Sequence, residues 1–256
     1  MKTYTGIFLV LLLLLLSACG QSIEAVTAPE TAPPPEITIA EATQSPTEPV
    51  HSLFYLPGVP VEDVIANFAE VCLDAEFINS GDPCLLQKWQ TSICYTLNGS
   101  YTETDLAVLA EFTAWLNTIH GFPGIREARE GDAANLRLHF CSQPEMISLM
   151  GESFYGLDGA VTFWYDDDAI YDAIICCRSD IDQHTRNSVI LEELYNGLGP
   201  IQDTDLRTDS IIYGGFSEPQ TLTEMDELIL KLLYHPDMRC GMDATQCAEV
   251  IRTLYY

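Results

Sequence analysis

The stretch from Arg186 to Asp203, RNSVILEELYNGLGPIQD, limits what this chain can fold into more than any other. It reads as one helix, from about His184 to Leu198, then a glycine stop at Gly199 and a turn. Residues four apart on a helix share one face. Whatever Glu192 faces, Asn196 faces too, with Glu193 beside them. Gly199 frees the chain to turn back and bring Gln202 toward that face.

This is the spacing of a zinc-binding helix, H-E-x-x-H-x-x-G-x-x-H. In that frame Glu192 takes the first ligand place, Glu193 the general-base place and Asn196 the second ligand place. Gly199 takes the turn and Gln202 the third ligand place. The register fits, but the donors do not. One carboxylate and two amides are hard oxygen donors, poor for holding zinc. The same residues also suit a solvated helix face on which Gly199 is a plain C-cap.

The segment resembles an uncharacterised family of secreted bacterial proteins that looks like a degenerate branch of the metzincins, with Glu-Glu-x-x-Gln in place of His-Glu-x-x-His. This chain has Asn196 for the Gln. Further pieces follow in order. Asp209 to Gly215, DSIIYGG, is similar to a metzincin Met-turn, with Ile212 in the methionine place. Leu222 to Asp226, leading into Leu228 to Tyr234, is similar to the closing helix. Leu86 to Trp89, before Ile93 to Leu97, looks like the first strand. The resemblance spans roughly 84–242. It implies an α+β, zincin-like (metzincin-type) fold: a mixed, mostly parallel sheet with an active-site-type helix and a C-terminal helix.

Composition sets the class of partner. The chain has 256 residues and a formal net charge of -27, with only 11 Lys and Arg. No basic patch can be built from so few cations, which argues against nucleic acid and against anionic lipid headgroups. The charge itself is read as solubility at an exposed cell surface.

The N-terminus reads as an export signal. Lys2 precedes an apolar run from Ile7 to Leu16, too short for a membrane span and right for a signal-peptide core. Leu16-Ser17-Ala18-Cys19 resembles a bacterial lipobox, which makes Cys19 the lipidation site; an ordinary signal peptide cleaved nearby is the alternative. Residues 1–19 are thus a lipoprotein signal. Residues 20–51, rich in Pro, Thr and Glu, cannot bury a core and form an extended tether. Residues 52–256 form one zincin-like domain. The expected location is extracytoplasmic, with acylated Cys19 in the bilayer.

Eight further cysteines follow: Cys72, Cys84, Cys94, Cys141, Cys176, Cys177, Cys240 and Cys247. An even set in an exported chain reads as disulfides, and the sequence does not fix their pairing. Cys240 and Cys247 are close enough to close a small loop. Cys176-Cys177 is either part of this framework or a reactive thiol pair.

Along the chain, Val61 to Phe77 has helical spacing, and Asn79 to Pro83 is a loop. Ile93 to Leu97 is a strand, and a helix capped by Thr104 runs to about Ile119. Strands follow at 125–128 and 135–141, with a helical turn at 146–150. Two more strands, 161–165 and 169–177, flank Asp166-Asp167-Asp168, which is read as a hairpin turn rather than a calcium site. The five histidines show no paired i, i+4 spacing.

Two functions fit. One is a non-catalytic surface lipoprotein that binds a peptide, glycan or protein partner in the old cleft, with no cofactor. The other is a metallohydrolase in which Glu193 is the general base and Glu192, Asn196 and Gln202 hold zinc or another divalent metal.

Overall fold

A computed structural model describes residues 52–73, 84–215 and 217–256. Cys19, the tether, the end of the first helix beyond Leu73 and the loop at 79–83 lie outside the described residues. The fold is α+β, with a six-stranded, mostly parallel sheet and six helices among the described residues.

The helix α1, Val61–Leu73, buries Val61, Val64, Phe68, Val71 and Cys72 along one stripe. Strand β1 is only Lys88–Trp89. Strand β2, Ile93–Gly99, is a separate element. The helix α2 spans Glu103–Leu116. Its cap is Thr102, not Thr104. The Thr102 side chain accepts from the Asp105 N–H, and the Asp105 carboxylate accepts from the Thr102 N–H at 2.7 Å. That reciprocal box satisfies two donors that a cap at 104 would leave open. Strands β3, Ile125–Glu127, and β4, Leu136–Cys141, follow, then helix α3, Gln143–Met150.

Strand β5, Gly159–Asp166, and strand β6, Ala169–Arg178, form a hairpin. Its two loop residues, Asp167 and Asp168, have φ of 47° and 60°. Aspartate tolerates this left-handed conformation, and the turn matches the twist of the strands it joins. The order β3-β2-β4-β6 is parallel throughout. β5 pairs antiparallel along almost all of β6, so β1 and β4 share the other side of β6, one after the other. β5 is therefore an edge strand among the described residues.

The two faces of the sheet are covered differently. Leu138, Phe140, Ile175 and Cys177 face the main core. Cys141 and Cys176 face a smaller cluster with Met146 and Ala160. Side chains alternate along a strand, so adjacent Cys176 and Cys177 point to opposite faces and do not act as a pair.

Helix α4, Gln183–Asn196, packs on β5, β6 and α2. A buried ion pair, Arg186 Nε to Asp105 Oδ1 at 3.0 Å, joins α2 to α4. Gln183 donates to the same Asp105 carboxylate at 2.7 Å. Helix α5, Glu224–Leu233, falls where the sequence reading places a helix but does not close the chain, and Lys88 Nζ donates to its terminal Leu233 carbonyl at 2.8 Å. Helix α6, Ala244–Tyr255, was not anticipated. It buries Cys247, Ile251 and Tyr255 and packs against α1.

No disulfide joins the eight cysteines in the structure. The Cys240–Cys247 bridge expected from spacing is not formed. Cys247 lies buried on α6, where burial pushes its thiol up to about 12, while Cys240 Sγ sits against the Lys88 carbonyl at 3.7 Å.

Candidate functional site

Helix α4 begins at Asp182, whose carboxylate accepts from the His184 and Thr185 N–H groups at 3.0 and 3.2 Å. Its far end is held by three contacts. Trp89 Nε1 donates to the Gly197 carbonyl at 2.8 Å, Tyr234 hydroxyl to the Leu198 carbonyl at 2.7 Å, and Tyr195 hydroxyl to the Asp226 carbonyl at 2.9 Å. The chain then turns at Gly199, with φ of 129°. A Cβ there would lie 2.6 Å from the Gln87 carbonyl oxygen, so the bend needs glycine on both counts.

Beyond the bend the chain runs back beside α4. The Asn196 amide lies 3.4 Å from Asp203 Oδ1. Thr204 bridges to Tyr213, with the Gly214 N–H donating to the Thr204 carbonyl at 3.1 Å. Ile211 and Ile212 are buried beneath this segment. The Asp226 carboxylate anchors it, accepting from the Ser210 hydroxyl at 2.6 Å and the Ile211 N–H at 3.2 Å.

These pieces enclose a cavity of about 230 Å³, lined by Asp158, Gly159, Glu192, Glu193, Asp203 and Tyr213 among others. Gly159 is where β5 passes over α4: a Cβ on it would sit 2.5 Å from Glu193 Oε1. The Glu193 residue is only 7% exposed. Burial, then the charges of Glu192 and Asp203, push its carboxyl well above the ordinary range. Burial, then Asp203 and Asp158, push Glu192 up to about 7. The cationic neighbour is Arg178 on β6. It pairs with Asp158 at 3.0 Å and with Asp180 at 2.9 Å.

The structure thus brings together Glu192 and Glu193 but not the rest of the frame. Neither Asn196 nor Gln202 lines the cavity. Asn196 Oδ1 is buried without a hydrogen-bond partner, and its amide nitrogen is directed to Asp203. The Gln202 backbone N–H donates to the Val71 carbonyl of α1 at 3.2 Å. Among the described residues no three His, Cys, Asp or Glu side chains are placed to hold a metal ion. The zinc expected of an active zincin does not fit this donor set.

Sequence reasoning missed Asp158 and Asp203 as site residues. Asp203 directly follows the third ligand place of the frame and could have been found. Asp158 precedes a strand and carries no local signal.

Residues 61–253 match the family model described as Protein of unknown function (DUF2927). The chain belongs to the DUF2927 family. No curated protein matches it. The family description names no activity, and the function is read from the geometry above.

Proposed function

We propose that this DUF2927 chain is a non-catalytic binding protein with a zincin-like domain, which takes an extended peptide along β5 and into the adjoining cavity. We further propose that it is an extracytoplasmic lipoprotein anchored through Cys19. The zincin reading is supported by the strand order, by the antiparallel edge strand beside α4, and by the glycine bend leading to a buried turn below the site.

The observation that carries the peptide reading is the open edge of β5. The Arg178 N–H donates to the Asp158 carbonyl at 2.9 Å. Bonded and non-bonded pairs alternate in an antiparallel ladder, so the N–H and C=O groups of Gly159, Val161 and Phe163 point away from β6. Edge strands are usually blunted by lysine, proline or a bulge. The strand GAVTFWYD has neither Lys nor Pro, and its one irregularity falls late, between Trp164 and Tyr165. An added strand would find outward hydrogen-bonding groups from Gly159 to Phe163.

The test is binding of short, extended Thr/Val-rich peptides with single backbone N-methyl groups, followed by calorimetry. Strand pairing predicts that N-methylation at alternate positions abolishes binding and at the intervening positions does not. Equal tolerance at every position would overturn the reading. Peptide hydrolysis lost in Glu193→Gln would replace it with the metallohydrolase reading.

A further inference from the structure

We infer that Cys141 and Cys176 form a binding site for one soft monovalent metal ion of the Cu(I) type, held between β4 and β6 beneath α3. The sheet register brings the two sulfurs together. Cys141 stands level with Arg178, and Cys176 with His139, so the two cysteines are diagonal neighbours on adjacent parallel strands. Both point to the face opposite that of Cys177. There the Cys176 thiol and the Cys141 sulfur are joined by a hydrogen bond. Both residues are buried, and so is Met146 of α3 in the same small cluster. Among the described residues, three of the four buried members of that cluster carry sulfur, the fourth being Ala160. Met150, the last residue of α3, packs against it. The core on the other side of the sheet is built mainly of Leu, Ile, Val and aromatic side chains, so this concentration of soft donors is local.

Spacing separates an ion from a disulfide. One strand separation and two residues of rise set diagonal Cα atoms roughly 8 Å apart in a regular sheet. A disulfide wants its Cα atoms about 4.4–6.8 Å apart, so closing one here would drag β4 along β6. The two cysteines are indeed unbridged. An ion between the sulfurs spans more: two metal–sulfur bonds of about 2.3 Å each replace one S–S bond of about 2.0 Å. Side chains in hydrogen-bonding contact need only part slightly to admit it.

The donor set selects the ion. Structural zinc takes four His, Cys or carboxylate ligands. His139 stands level with Cys176, yet among the described residues no third His, Cys, Asp or Glu joins a metal-holding group. Calcium and magnesium want oxygen. Thiolate with thioether is the soft pairing that selects Cu(I). On binding, two S–H bonds break, two Cu–S bonds form and two protons leave to solvent. No electron moves, and the copper stays Cu(I). The thioether of Met146 supplies a further soft donor from α3, and the Met150 side chain closes the cluster from the far end of that helix.

The experiment titrates the protein anaerobically with Cu(I) against a chromophoric Cu(I) chelator, bathocuproine disulfonate. The wild type is expected to take up one equivalent that Cys141→Ser and Cys176→Ser each hold at least about 100-fold more weakly, the upper end of what losing even an outer partner costs. Cys177→Ser, altered on the opposite face, should keep that equivalent. No uptake by the wild type overturns the inference, and so does equal uptake by all four proteins. A Cys141–Cys176 cross-link mapped by mass spectrometry in protein purified without reductant overturns it as well. A second measurement needs no cysteine variant and stands even if the serine variants fail to fold. In wild-type protein carrying ¹³C-methyl methionine, the Met146 and Met150 signals should shift with the bound equivalent while those of Met238 and Met242 stay. Shifts confined to Met238 and Met242 would put the ion elsewhere and overturn the site.

Discussion

Gly159 of β5 lies directly against Glu193 of α4, so close that a methyl group on residue 159 would stand 2.5 Å from the Glu193 carboxylate oxygen and 2.6 Å from its Cγ. An edge strand and a buried acid thus share one contact. Gly159→Ala should force them apart and lower stability by about 1–3 kcal/mol, the usual cost of overpacking. Thermal melting of Gly159→Ala alone and combined with Glu193→Ala checks this. The double variant should recover part of the loss, since removing the carboxyl arm clears the space. Simple additivity of the two losses would count against the contact.

Acidity in the same place gives stability a pH dependence of definite sign. Glu192 titrates near 4.5 when unfolded and at about 7 when folded. The folded chain therefore binds a proton more tightly, and the benefit is fully present below about 4.5 and lost as pH rises through about 7. The groups that face it are Glu193 on α4, Asp203 after the bend and Asp158 before β5, with Arg178 paired to Asp158. Denaturation midpoints should fall from pH 5 to pH 8. Glu192→Gln should flatten that fall, by an amount on the order of 2 kcal/mol. A midpoint that rises over this interval in the wild type would contradict the burial.

The Arg186–Asp105 pair is the polar joint between α2 and α4, with Asp105 fully buried and Arg186 6% exposed. Removing one partner strands a buried charge. Asp105→Ala or Arg186→Met should each cost about 3–5 kcal/mol, and Asp105→Leu with Arg186→Met together much less. Urea denaturation of the single and double variants distinguishes this from a pair that contributes nothing.

Gly199 offers a test of the bend. Its φ of 129° and the Gln87 carbonyl 2.6 Å from a would-be Cβ both resist a side chain. Gly199→Ala should destabilise by about 2 kcal/mol or more and move Asp203 relative to α4. A fluorescence-monitored unfolding curve reports the first effect, and the affinity for the extended Thr/Val-rich peptides reports the second. Gly131, where a Cβ would meet nothing within 4 Å, has a φ of 90° and serves as the control for conformational strain alone.

The elements themselves were legible in the chain. Helical spacing from Val61, alternation from Leu136 to Phe140, the acidic hairpin loop and the glycine stop after α4 are all local patterns. Backbone geometry and the side-chain period dictate such patterns within a few residues. The cap of α2 was misplaced by two residues because Thr102 and Thr104 are chemically alike, and only the reciprocal bond to Asp105 separates them. Helix α6 was overlooked although Cys247, Ile251 and Tyr255 fall at helical spacing.

The sequence by itself determined the register of Glu192, Glu193 and Gly199 on one helix and bend, because helical periodicity is a property of the backbone. Only the tertiary structure decided which acids share a cavity. It brought Asp158 and Asp203 to the glutamates and left Gln202 and Asn196 out of the cavity lining. The reason is physical: convergence of side chains from β5, α4 and the returning loop depends on how the sheet and helices pack, and no spacing along one segment encodes that.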